Sequence, residues 1–269
     1  MYMRNIIYVW TIKPGPFNFP ETNPRNMWGI GDIIRGMMTT LKTYEHSNDE
    51  VTIDIFNHPI AKYLQLEDHT HKKYVKDHIE KVFWCGDHIE EYVNKLDPNN
   101  PILLMTNKPL KGNITEHIKN KILNLFIKNE DLEHDINNIK NKLHLQDNYS
   151  IIHFRLGDNQ LVRNHNHYDN FDKYYDKYLL HKQDNQLVMS DNILFRKYLL
   201  EKDKNIKIFD LDNIYHLGKY NNNNNIKDTL IEFFLVLESK SIKTHSVNGW
   251  TSGFVLYPSI LRDIPIENI

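Results

Sequence analysis

Residues 150–158 read SIIHFRLGD. Ile151 and Ile152 run into a core as a buried strand does, and His153, Arg155, Gly157 and Asp158 then follow within six positions. Side chains alternate along a strand, so His153 and Arg155 share one face. In open parallel sheets, ligands gather outside the carboxyl ends of the strands. An arginine there offers a planar five-donor fork suited to phosphate oxygens. Gly157 permits a tight turn, and Asp158 can brace that turn or the arginine. Spacing alone also allows a plainer outcome, an Arg–Asp salt bridge closing the strand beside a satisfied histidine. Both remain open at this point.

Outward from this strand, helical and extended patterns alternate. FDKYYDKYLLHK reads as a helix, NQLVMSD as a strand, NILFRKYLLEK as a helix and IKIFDLD as a strand. DTLIEFFLVLESK is a strongly apolar helix for which Asp228 suits the N-cap. SIKTHS is a short strand and GWTSGFVLYPSIL the closing segment. Upstream, NIIYVWTI, VTIDIF, KVFWCG and PILLMT read as strands, and GIGDIIRGMMTTLKTYE as a glycine turn feeding a helix. Residues 114–128 and 132–145 carry apolar positions at three- and four-residue intervals, as amphipathic helices do. Such alternation argues for an α/β fold with parallel sheets. A break near residues 146–149 divides it into two Rossmann-like domains, 1–147 and 148–269, and a cleft between two such domains is a common ligand site.

Composition narrows the function. The 269 residues carry 33 Lys and Arg against 35 Asp and Glu, so the basic excess of a nucleic-acid binder is missing. No stretch approaches the roughly 18–20 apolar residues of a membrane span. The apolar start of the chain is too short for a signal-peptide core and reads as a first buried strand. A single cysteine, Cys85, rules out an intramolecular disulfide framework and fits a buried small hydrophobe in a reducing compartment. A cytoplasmic protein is the expectation. The asparagine run 221–225 reads as a solvated loop.

HFRLGD resembles the H-x-R-R-G-D signature of the α1,2-/α1,6-fucosyltransferase and protein O-fucosyltransferase superfamily. LVMSDN at 187–192 resembles that family's strand ending in F-S-D-D, and the Asp-led helix, strand and SVNGW that follow resemble its last motif, S-T-F-S-W-W. WGIGDIIRG looks like its glycine-rich loop, often G-x-G-N. The resemblance covers the second half in pattern and the first half at that loop alone. It implies a GT-B-like fold, two Rossmann-like domains with parallel sheets facing a central cleft. It implies an inverting, metal-independent glycosyltransferase moving fucose from GDP-fucose to a glycan hydroxyl. The first motif arginine, Arg155, would stabilise the leaving diphosphate in place of a metal, and His153 would contact the guanine or ribose. Ser246 and the backbone N–H groups at 247–249 would hold phosphate at a helix N-terminus. Leu156 stands where the family has a second arginine, but strand alternation turns it away from Arg155.

The remaining candidates each have two readings. Gly29 and Gly31 allow close approach of an anion to a helix start, or make an ordinary strand–helix turn. Asp32 is a candidate base for the acceptor hydroxyl, or that helix's cap. Asp191 would reach the guanine edge, or stabilise its own turn. Asp210 and Asp212 have D-x-D spacing but end an apolar strand, and His69/His71 and His165/His167 lack a supporting carboxylate arrangement, so no metal ligand is assigned. Trp28 and Trp250 suit either sugar stacking or burial. Two other functions compete: another GT-B-like transferase, such as a polysaccharide pyruvyl transferase, and a non-catalytic domain that binds a nucleotide or glycan.

Overall fold

The computed structural model describes residues 3–10, 29–55, 58–66, 80–84, 89–106, 108–157, 171–209 and 223–269. The chain forms two compact units, one built mainly from Met1–Asn129 and the other from Glu130–Tyr215 and Asn224–Ile269. The division falls ahead of the helix Glu130–Lys142, whereas the sequence break was placed after it. Lys140 of that helix ion-pairs with Glu238 in the second unit.

In the first unit, β1 (Asn5–Val9), β2 (Glu50–Asp54), β3 (Glu80–Trp84) and β4 (Ile102–Thr106) form a parallel sheet in the order β2-β1-β4-β3. Its helices are α1 (Ile30–Thr43), α2 (Ile89–Val93) and α3 (Glu116–Leu123). Ile6, Ile102 and Leu104 pack against Ile89 and Val93 of α2 and against Tyr44 at the end of α1. Helix α1 lies very close to the sheet, because Tyr8 donates its hydroxyl to the Ile33 carbonyl at 2.9 Å. Gly36 makes that approach possible: a Cβ there would stand 2.1 Å from the Thr106 carbonyl oxygen and 2.3 Å from the Tyr8 hydroxyl.

The second unit opens with α4 (Glu130–Lys142) and holds β5 (Ser150–Arg155), β6 (Gln186–Ser190), β7 (Lys207–Ile208), β8 (Ser241–Ser246) and β9 (Ile266–Asn268). All five strands are parallel, in the order β7-β6-β5-β8-β9. On one face Ile152, Phe154, Leu156 and Val188 pack under Tyr174 and Tyr178 of α5 (Phe171–His181) and Phe195 and Leu199 of α6 (Ile193–Lys202). The other face carries α7 (Asn223–Leu237) and α8 (Gly253–Arg262). There Tyr149 donates to the Leu235 carbonyl at 2.5 Å, and Phe254 stacks on His153 with ring centroids 6.4 Å apart.

Three elements differ from expectation. Helix α7 starts at Asn223, so residues 223–225, read as part of a solvated loop, are helical backbone, and Asp228 lies inside the helix and does not cap it. Among the described residues of IKIFDLD, strand pairing is limited to Lys207 and Ile208. Strand β9 was not anticipated from the polar run IEN, which gains its pairing at the sheet edge. Among the described residues no helix is long and apolar enough to cross a membrane.

Candidate functional site

In the second unit the chain runs from β5 outward through β6 to β7, then returns to lay β8 on the other side of β5. In open parallel sheets, loops diverge where the strand order reverses, which makes the carboxyl ends of the two central strands the place for a ligand. Arg155 and Ser246 occupy those ends as register partners, tied by Val247 N–H donating to the Arg155 carbonyl at 3.1 Å. Gly157, just beyond Arg155, adopts φ +85°, a backbone conformation that favours glycine.

Arg155 is held by Asp191 at the end of β6. Its Nη1 lies 2.6 Å from Asp191 Oδ2, while Asp191 Oδ1 accepts the Leu156 N–H at 2.8 Å. A carboxylate that grips both the guanidinium and the backbone beside it fixes the fork's direction. The arginine side chain keeps 16% exposure, so it remains reachable from solvent. Asp191, read as a guanine contact or a turn brace, serves as a brace in this arrangement.

His153 lies one strand step behind Arg155 and is 4% exposed. Its Nδ1 faces Thr244 Oγ1 at 3.3 Å. Burial, helped by the Arg155 and Arg196 charges, lowers its pKa to about 3. The ring is therefore neutral near pH 7 and suits hydrogen bonding, not proton transfer.

Ser246 lies elsewhere than expected. Its Oγ accepts from Asn248 N–H at 3.2 Å, closing a turn that Gly249 completes at φ +76°. The helix begins later, with Ser252 as N-cap accepting from Phe254 N–H at 3.4 Å. Thus residues 247–249 form a turn, and the unsatisfied N–H groups of a helix start belong to α8. The run T-S-G-F held the missed signal, a serine just ahead of an apolar helical pattern. Trp250 stands on this turn and is 69% exposed.

Sequence reasoning also missed Arg196 and Glu232. Arg196, on α6, donates Nε to the Ser190 carbonyl at 2.6 Å and Nη1 to the Phe209 carbonyl at 2.9 Å, and its Nη2 lies 2.7 Å from Glu232 Oε1 on α7. Both side chains are buried. Burial raises the Glu232 pKa, and the Arg196 charge opposes the rise.

Gly29, Gly31, Asp32 and Arg35 all belong to the first unit. Asp32 Oδ2 accepts the Gly29 N–H at 3.2 Å, as a helix cap does, and its Oδ1 lies 2.5 Å from Arg35 Nη2. Gly31 is buried inside the first turn of α1. Asp158, Trp28, Cys85, the four H-x-H histidines and the aspartates of the D-x-D triplet lie outside the described residues. Among the described residues no cluster of His, Cys, Asp and Glu has metal-holding geometry.

No protein-family model matches the chain, and no curated protein matches it in sequence. Solved structures do match over nearly its whole length. An α-1,6-fucosyltransferase, NodZ, soaked with GDP-fucose, superposes with a TM-score of 0.56 at 11% identity, over 96% of this chain and 92% of its own. The chain has the fold of the fucosyltransferases. Arabidopsis thaliana FUT1, in a complex with GDP, gives 0.52 at 11% identity over 99% of this chain and 70% of its own. POFUT1 in complex with GDP gives 0.51 at 9% identity, over 98% of both chains. The fucosyltransferase fold thus extends to the first unit, where the motif resemblance reaches only the glycine-rich loop.

Proposed function

We propose that the protein is a glycosyltransferase that moves fucose from GDP-fucose to a glycan hydroxyl with inversion and without a metal. The observation that carries this reading is Arg155, an arginine aimed by a carboxylate at the reversal point of a parallel sheet. The fold it sits in recurs in enzymes solved with GDP-fucose and GDP.

When the bond from fucose to the diphosphate breaks, negative charge grows on the leaving phosphate oxygen. Fixed donors aimed at that charge lower the barrier. Arg155 supplies a guanidinium, and the start of α8 supplies N–H groups with the positive end of the helix dipole. Arg155 then takes the role that a divalent ion holds in other transferases. His153, neutral, binds the guanine or ribose through hydrogen bonds. Trp250 offers an open aromatic face for stacking, and Asp158 keeps the bracing role expected from its sequence position. In the first unit, Gly29 and Gly31 shape the start of α1. Asp32 is the candidate base for the acceptor hydroxyl; its two oxygens hold Gly29 N–H and Arg35, and an ionised carboxylate has lone pairs left for a further donor. The hydroxyl attacks the face opposite the departing GDP, which inverts the anomeric centre.

The test is turnover of GDP-fucose with a panel of glycan acceptors, reading GDP release and the product's anomeric signals by NMR, with and without EDTA. The reading expects acceptor-dependent GDP release and an inverted product, unaffected by EDTA. GDP binding without turnover on any acceptor favours the non-catalytic binding domain.

A further inference from the structure

The buried pair Arg196–Glu232 is tied to the turn that holds Arg155. Arg196 Nε holds the carbonyl of Ser190. The next residue is Asp191, whose two carboxylate oxygens hold Leu156 N–H and the Arg155 guanidinium. Ser190 is pinned a second time, its Oγ donating to the Phe154 carbonyl at 2.8 Å and accepting Asn192 N–H at 3.2 Å. On its far side Arg196 reaches Phe209 beyond β7 and Glu232 on α7. One guanidinium therefore joins the ends of β6 and β7 to a helix on the opposite face of the sheet.

Stability is a poor reason for such a pair. Desolvating two charges can exceed the attraction between them, and apolar residues of similar volume often serve a fold as well or better. What an apolar pair lacks is the directed hydrogen bond to the Ser190 carbonyl. We infer that Arg196, anchored by Glu232, is a positioning residue: it fixes the turn that carries Asp191 and thereby aims Arg155. This inference rests on reading Arg155 as the diphosphate ligand.

Two readouts test it, one without ligand. The Leu156 amide is buried and its bond to Asp191 Oδ1 reports where that carboxylate sits. Hydrogen exchange is measured at Leu156 and at Ile152, deeper in β5, in wild type, Arg196→Lys, Arg196→Met and Arg196→Met/Glu232→Gln. The double variant avoids leaving a buried carboxylate alone. GDP dissociation constants are measured on the same proteins by calorimetry. The expected result is Leu156 exchange at least about tenfold faster relative to Ile152 in the Met variants, GDP binding weaker by about tenfold, and partial rescue in Arg196→Lys; transfer falls on the order of 100-fold, as a misaimed group implies. If Leu156 and Ile152 accelerate together and folded protein keeps its GDP affinity, Arg196 is only a structural residue and the inference is overturned. Unchanged Leu156 exchange overturns it as well. A wild-type chain that ignores GDP overturns the reading of the site, and with it Arg196's role in aiming a phosphate ligand; the exchange arm then shows whether Arg196 still holds the turn.

Discussion

Arg155 has two kinds of neighbour that a reader of its strand sees unequally. His153 lies on the same face by simple alternation, so the sequence places it beside Arg155. Asp191 is 36 positions away, and only the pairing of β5 with β6 brings its carboxylate to the guanidinium. That is why its role stayed open between base contact and brace. Arg196 is harder still: in NILFRKYLLEK it looks like any polar residue of a helix, and its partner Glu232 comes from α7, across the unit. At this scale the pair Arg155–Asp191 is directly testable. Arg155→Ala should lower transfer by about 10²–10³, the effect of losing one preorganised donor to a developing oxyanion. Asp191→Asn keeps an acceptor for Leu156 N–H but removes the ion pair, so GDP should bind about tenfold more weakly, an order of magnitude fitting one charge-assisted contact of 1.5–3 kcal/mol. Acceptor-dependent GDP release reads the first, and calorimetry with GDP the second.

Among the elements, those with strong periodicity formed where the patterns put them, and polar ends were the source of error. β5, β6, β8, α5 and α6 follow their apolar spacing. β9 escaped notice because an edge strand needs no apolar alternation to gain backbone pairing, and α8 was entered too early because SVNGW was aligned to a motif while the cap signal lay at Ser252. Ser252→Ala should therefore cost about 1 kcal/mol of stability and also weaken GDP binding, whereas Ser246→Ala should loosen the turn with a smaller effect on GDP. Denaturant titration beside GDP calorimetry separates the two. In α1, Gly36→Ala drives a methyl into the Thr106 carbonyl and the Tyr8 ring. Lifting the helix should destabilise the protein by about 1–3 kcal/mol or more, seen as a lower urea midpoint.

Across the whole molecule, the α/β class with parallel sheets was legible because apolar strand runs alternate with helical patterns throughout the second half and after the first strand. The division of the chain was less so: α4 belongs to the second unit through contacts such as Lys140–Glu238, which no local signal announces. Among the described residues, each unit buries a neutral histidine. His58, 2% exposed, and His153 both have pKa values lowered to about 3, in each case chiefly by burial. Unfolded, each regains a pKa near 6.5. The unfolded chain thus binds more protons below that value, so their contribution is full above about pH 6.5 and is lost as pH falls toward 3. Stability should decline by up to about 1.4 kcal/mol per pH unit for each histidine in that window. Urea titrations of wild type and His58→Gln from pH 7.5 to 5 check this; the variant should show the shallower decline.

The central claim is that the carboxyl ends of β5 and β8 receive a guanosine diphosphate, and thermal unfolding with GDP, GDP-fucose or UDP-glucose tests it most directly. At about 100 times its dissociation constant a ligand adds roughly 2.7 kcal/mol, a shift of several degrees for a chain of this size. The account predicts that GDP and GDP-fucose raise the midpoint in wild type, that UDP-glucose does not, and that Arg155→Ala abolishes the response. A midpoint indifferent to guanine nucleotides at millimolar concentration, in a protein that unfolds cooperatively, would contradict it.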